Sequence, residues 1–158
     1  MLVFVYRASR PVFSVLGRHP DVPGAYEDVG RHERARPVDG VLIVRPDAPL
    51  FYANAQPLRD TVSHLARSAD PPVHVLILDL DGTDELDITS AEALGKLIAE
   101  LDRARVRVGL AHVHAVTAAM LRRSGVTAKP GAVATFPDLQ SAVTWARQGE
   151  RGGVTPAR

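Results

Sequence analysis

The stretch from Ile77 to Leu94 constrains this chain more than any other, because it passes without a break from a buried strand through an acidic loop into a capped helix. Val73 to Leu80 is apolar except for His74 and Asp79, the continuous pattern of a strand covered on both faces. Thr89-x-x-Glu92 reads as a capping box, and Ala93, Leu94, Leu97, Ile98 and Leu101 recur behind it at helical spacing. Such a strand needs a layer above it and a layer below.

The rest of the chain supplies both. Strands are predicted at 13–16, 41–44, 106–113 and 133–136, flanking the run at 73–80. One helix is expected from the N-cap Asn54 to near Asp70, with Pro57 in its first turn and Leu58, Val62 and Leu65 as its stripe. A second helix follows Thr89 or Ser90 as cap, a third covers 116–124 and closes at Gly125, and the last runs from Asp138 to just before Gly149. Alternating strands and helices predict an α/β domain with a mixed, mainly parallel sheet of four to five strands and about four helices. The polar stretch 17–37, with Pro20, Pro23 and Pro37, reads as a hairpin-like loop or insertion.

At 158 residues and 46% apolar, the chain has the size and composition of one domain with an ordinary core. A formal charge of +1 gives no global field that would hold nucleic acid, so no nucleic-acid partner is expected. Absence of cysteine excludes disulfides and thiolate chemistry. No stretch approaches the ~20 apolar residues of a membrane span. Met1 to Tyr6 are nonetheless all apolar or aromatic, and Arg7, Arg10 and Arg18 come before the first acid, Asp21. That order fits the cytoplasmic end of a membrane helix as well as a soluble first strand, and it is the reverse of a secretory signal.

Two families open their signature in the acidic loop. Asp79-x-Asp81-Gly82-Thr83 resembles the aspartate pair of haloacid-dehalogenase-like phosphatases, in which one carboxylate attacks phosphorus, the other protonates the leaving group and Mg²⁺ shields them. Lys129 would then be the required lysine. That resemblance would make this strand the first of its fold, yet nearly eighty residues precede it, and no adjacent acidic pair follows residue 85.

The second resemblance covers more of the chain. Arg7-Ala-Ser-Arg-Pro11, Val15-Leu-Gly-Arg18, Tyr26 to Pro37, Asp47-Ala-Pro-Leu-Phe-Tyr-Ala-Asn-Ala55 and Asp79 to Leu94 resemble, in order, the STAS domain at the cytoplasmic C-terminus of SulP-type anion transporters, many of them sulfate carriers. The resemblance implies a STAS-like fold over 11–148, a junction with a missing transmembrane region at 1–10 and a disordered tail at 149–158. It implies a regulatory and interaction domain rather than an enzyme, attached to the transmembrane domain of its own transporter at the cytoplasmic face of the inner (plasma) membrane, with cytoplasmic proteins as further partners.

Several STAS domains are reported to bind nucleotides, so the resemblance also implies a GTP/GDP or ATP/ADP ligand, with no cofactor required. The residues expected to hold it are Phe51, Tyr52, Asn54, Asp87, Thr89 and Ser90, because aromatic faces stack on bases and helix N-termini offer unpaired donors to phosphate. Asp87 aligns with the aspartate that adjoins the phosphoacceptor of anti-sigma-factor antagonists. The next residue here is Ile88, which has no hydroxyl, so phosphorylation would have to use Thr89 or Ser90. Ile88 and the membrane-like start weigh against a free-standing antagonist. His112-x-His114 offers two imidazoles without a predicted third ligand, and Trp145 reads as packing, so no metal is expected.

Overall fold

The computed structural model describes residues 13–128 and 133–151. The expected junction at 1–10, Lys129 and most of the expected tail lie outside those residues. In chain order the elements are β1 (Phe13–Arg18), β2 (Tyr26–Asp28), β3 (Val41–Pro46), α1 (Ala55–Arg67), β4 (Val75–Asp79), α2 (Ile88–Arg103), β5 (Arg107–Ala111), α3 (Ala115–Arg123), β6 (Val133–Phe136) and α4 (Leu139–Arg151). One six-stranded sheet results, in the order β2-β1-β3-β4-β5-β6. Strands β3 to β6 run parallel, and β1 is antiparallel to both β2 and β3.

All five residues of β4 are buried: Val75 to Leu78 as an apolar run covered on both faces requires, and with them the charged Asp79. Alternation sends Leu42, Val44, Leu76, Leu78, Val108 and Leu110 to one face, where they pack with Leu58 and Val62 of α1, Leu94, Leu97 and Leu101 of α2 and Leu121 of α3. Val41, Ile43, Val75, Ile77 and Ala111 face the other way, against Leu139, Ala142, Val143 and Ala146 of α4. The result is a mainly parallel sheet with helices on both faces.

Four local expectations change. The stretch 17–37 contains β2, so the sheet has six strands rather than four to five; Tyr-Glu-Asp is half-buried, short and polar, and carries no alternation to reveal it. It is held by register, with Leu16 opposite Asp28 and Arg18 opposite Tyr26. Helix α2 is capped by Asp87, whose side chain accepts from Ser90 N at 2.8 Å, and Thr89 falls inside the first turn. Starting there makes Ser90 the top of the buried stripe that continues through Ala91, Leu94 and Leu97. β5 stops at Ala111, where His112 turns to φ +54° and leaves the extended region.

Finally, α4 runs through Gly149 to Arg151 instead of stopping before the glycine. A Cβ on Gly149 would meet the Arg107 guanidinium, which reaches past it to donate to Ala146 O at 3.0 Å and lies 4.5 Å from the Trp145 ring. The glycine therefore provides clearance, not a stop.

Candidate functional site

Four parallel strands end on one edge of the sheet, and in open α/β sheets that carboxyl edge is where ligands and partners are met. β1 begins on the same edge, since Phe13 pairs with Pro46 at the end of β3.

A buried carboxylate organises the edge. Asp79, the last residue of β4, has no solvent exposure. Its Oδ2 accepts from Arg45 Nε at 2.7 Å, with Nη2 of the same guanidinium in ion-pair contact at 2.7 Å, and its Oδ1 accepts from His112 Nδ1 at 2.8 Å and from Asp81 N at 3.1 Å. Three donors and the guanidinium charge compensate the desolvation that an isolated buried charge could not survive. Asp138, capping α4 beside His112, has its carboxyl held below the ordinary 3.8, chiefly by the Ser141 backbone N–H at 2.7 Å and the Ser141 hydroxyl, with a smaller contribution from His112.

A second set of hydrogen bonds ties the loops together. Thr83 is buried; its Oγ1 accepts from Leu50 N at 3.2 Å, and its carbonyl accepts from Thr117 Oγ1 at 3.0 Å. Three connections, before α1, before α2 and at the start of α3, are thereby locked side by side. Asn54 occupies the N-cap position of α1, but its Oδ1 accepts from Phe51 N and its Nδ2 donates to Pro49 O, each at 2.9 Å. Its side chain closes the loop instead of capping the helix. The closed loop holds Phe51 and Tyr52 outward, 45% and 70% exposed, as a T-shaped pair with ring centres 5.6 Å apart.

Phe51, Tyr52, Asn54, Asp87, Thr89 and Ser90 therefore do lie at the starts of two packed helices on one edge. Ile88 and Val116 join them as exposed apolar side chains at the starts of α2 and α3. Asp81, Asp84 and Glu85 stand exposed in the intervening loop. Of the two hydroxyls, Thr89 is exposed while Ser90 is fully buried with its Oγ lacking a partner among the described residues. The clefts of about 520, 590 and 650 Å³ on this protein are lined by other residues.

The aspartates of Asp79-x-Asp81 do not act as a pair: one is buried in an ion pair, the other exposed beyond the strand. His112 and His114 also part, the first turning to Asp79 and the second to Asp81 O at 3.0 Å, with Asp84 at 3.5 Å. Among the described residues no group of three or more possible ligands could hold a metal ion. Sequence reasoning missed Arg45, Thr83 and Thr117. Arg45 could have been found from parallel register alone, because Val44 beside Leu78 puts position 45 beside 79.

The profile of the STAS domain family matches residues 34–142, and the chain belongs to that family. It is 30% identical over 143 residues to a probable sulfate transporter of Mycobacterium tuberculosis H37Rv, covering 90% of this chain and 25% of the transporter. Probable sulfate transporter 4.2 of Arabidopsis thaliana is 24% identical, over 88% of this chain and 22% of its own. The chain thus spans about a quarter of the length of these relatives. Among solved structures it resembles the murine Solute Carrier 26 family member A9 anion transporter in the inward-facing state, at TM-score 0.76 and 27% identity over 93% of this chain and 24% of that one. It shares its fold with the SulP transporter STAS domain of Vibrio cholerae, at TM-score 0.60 and 19% identity over 77% of this chain and 92% of the other. The chain is homologous to SulP sulfate transporters.

Proposed function

We propose that this chain is the cytoplasmic regulatory and interaction domain of a SulP-family anion transporter, with sulfate the expected anion, at the cytoplasmic face of the inner (plasma) membrane. The observation that carries the reading is a match over 90% of this chain to one quarter of a probable sulfate transporter. The geometry supports it: the carboxyl edge, where β1 starts opposite the end of β3, carries the exposed apolar side chains of Phe51, Tyr52, Ile88 and Val116. That edge is the face we assign to the transmembrane domain or to a protein partner bridging to it. In a strain lacking sulfate uptake, the full-length reading frame should restore uptake, and removing residues 13–148 from it should abolish most of it. Undiminished uptake after removal would refute a regulatory role.

The same edge is our proposed site for a weakly bound nucleotide. Phe51 or Tyr52 supplies a stacking face, and the helix starts near Asn54 and at Asp87 to Ser90 supply backbone donors. Asp81, Asp84 and Glu85 repel phosphate, which limits affinity to roughly micromolar or weaker. Titration with GTP or ATP should shift amides of residues 50–56 and 86–91 first; no shift there at millimolar nucleotide eliminates this site. A ligand held more tightly in one transporter conformation than another would bias that equilibrium.

Catalysis forms no part of the proposal. Both oxygens of Asp79 are engaged, by Arg45 and His112, and the carboxylate has no solvent exposure through which a phosphoryl group could approach.

A further inference from the structure

Two adjoining cavities, about 650 and 250 Å³, share Arg18 and Gln140 as a common wall. Together they form a cleft between the β1–β2 hairpin and α4. Arg36 and His19 line the larger part, Arg147 and Gln148 the smaller. Arg18 ends the strand that begins at the carboxyl edge, so the cleft opens at the other end of β1, away from the acidic loop.

The polar groups that line it are mostly donors. Among the described residues Arg18, Arg36 and Arg147 form no ion pair. Arg36 Nη1 donates to Glu33 O at 2.8 Å, which fixes its guanidinium without neutralising it. Gln140 receives the Tyr26 hydroxyl on Oε1 at 3.0 Å, leaving its amide N–H groups for a ligand. His19 Nδ1 accepts from the backbone of Asp21 and Val22, so Nε2 carries the proton; Glu27 approaches it at the rim, 3.9 Å away. Pro20, Pro23 and Ala25 make an apolar wall in the larger part.

Arg18 and Arg36 line the larger cavity and Arg18 and Arg147 the smaller, and neither lining contains a carboxylate among the described residues. Guanidinium forks match the oxygen geometry of sulfate and phosphate, and they hold their charge at any physiological pH. We propose that this cleft binds a tetrahedral oxyanion: sulfate, phosphate, or the phosphate group of a small soluble molecule whose organic part lies against the proline wall. The site is separate from the carboxyl edge, so it stands or falls independently of the nucleotide reading there.

The test is an NMR titration of the whole chain with sodium sulfate, sodium phosphate and glycerol 3-phosphate, each against sodium chloride at matched ionic strength. Vesicles of phosphatidylcholine with and without phosphatidylinositol phosphate form a further arm. Saturable shifts at residues 18–20, 36 and 140–148 are expected with at least one oxyanion and not with chloride. A preference for the ester over both inorganic ions identifies an organic ligand; the reverse identifies the free ion. Arg18→Gln with Arg147→Gln should weaken binding roughly tenfold or more while leaving the urea midpoint unchanged, since both side chains lie outside the core. Arg122→Gln, on an exposed position of α3, should change nothing. Shifts equal in chloride and oxyanion, shifts indifferent to the double substitution, or binding to vesicles alone would each overturn the proposal.

Discussion

Replacing Asp79 with alanine should destabilise the domain by roughly 2–3 kcal/mol, because it strips the counter-charge from Arg45 and the acceptor from His112 in one step. Breaking a fully buried pair commonly costs more. Arg45 is 39% exposed in its side chain and can turn to water, which lowers the expected loss. Asp79→Asn keeps the shape but aims an amide N–H₂ at donors on one side, so it should lose nearly as much. Equilibrium urea unfolding measures both, and a double-mutant cycle with Arg45→Met isolates the coupling. A change in stability under ~0.5 kcal/mol would mean that the ion pair does not organise this edge. The same two variants bear on chemistry: with Mg²⁺ and a generic phosphoester, neither they nor the parent chain should show turnover.

The contrast between Asp79 and its neighbours shows which features the sequence exposes. The strand at 75–79 was legible because burial on both faces forces an unbroken apolar run, and α2 because its stripe repeats over four turns. Asp79 itself stood out as the charge inside that run, but its partners did not. Arg45 is 34 positions away and His112 is 33, so only the strand order and register bring them together. Signals that depend on neighbours across a sheet are invisible to periodicity.

The cap of α2 was misplaced for a different reason. Thr89 and Ser90 are good cap residues by type, yet so is Asp87, and tertiary packing chose among them. Thr117 anchors the loop at Thr83 and Asp84, and the helix must have begun by Ser90 for that residue to enter the core. Asp87 then lies where a carboxylate meets the positive helix end, which is worth about 0.5–2 kcal/mol as a cap. The aromatic pair Phe51-Tyr52 was placed correctly at the edge, but its exposure depends on Asn54 closing the loop rather than capping α1.

The hairpin at 17–37 is where sequence said least and where a single atom should say most. Gly17 is buried, and a Cβ built on it would stand 2.7 Å from both the carbonyl carbon and oxygen of Arg36 and 2.8 Å from Val29 Cγ1. Those Arg36 atoms cannot retreat. Arg36 O accepts from Arg18 N at 2.7 Å and Arg36 N donates to Arg18 O at 2.9 Å, so making room for a methyl breaks the bridge that folds the loop back on β1. Gly17→Ala is therefore expected to cost about 2–3 kcal/mol, the overpacking penalty outweighing the few tenths gained by restricting the unfolded chain. The damage should be local, because β3, β4 and β5 are held by their own ladders and by helices on both faces. Hydrogen exchange should accelerate at Arg18, Val29 and Arg36 while Ile77 and Leu78 stay protected. Arg18 and Arg36 would also separate, so oxyanion binding in the cleft should weaken with the hairpin. Unchanged exchange at Arg18 and Arg36 would show that the chain absorbs the methyl by shifting β2 as a whole, and the close approach of Arg36 to Gly17 would then carry no structural weight.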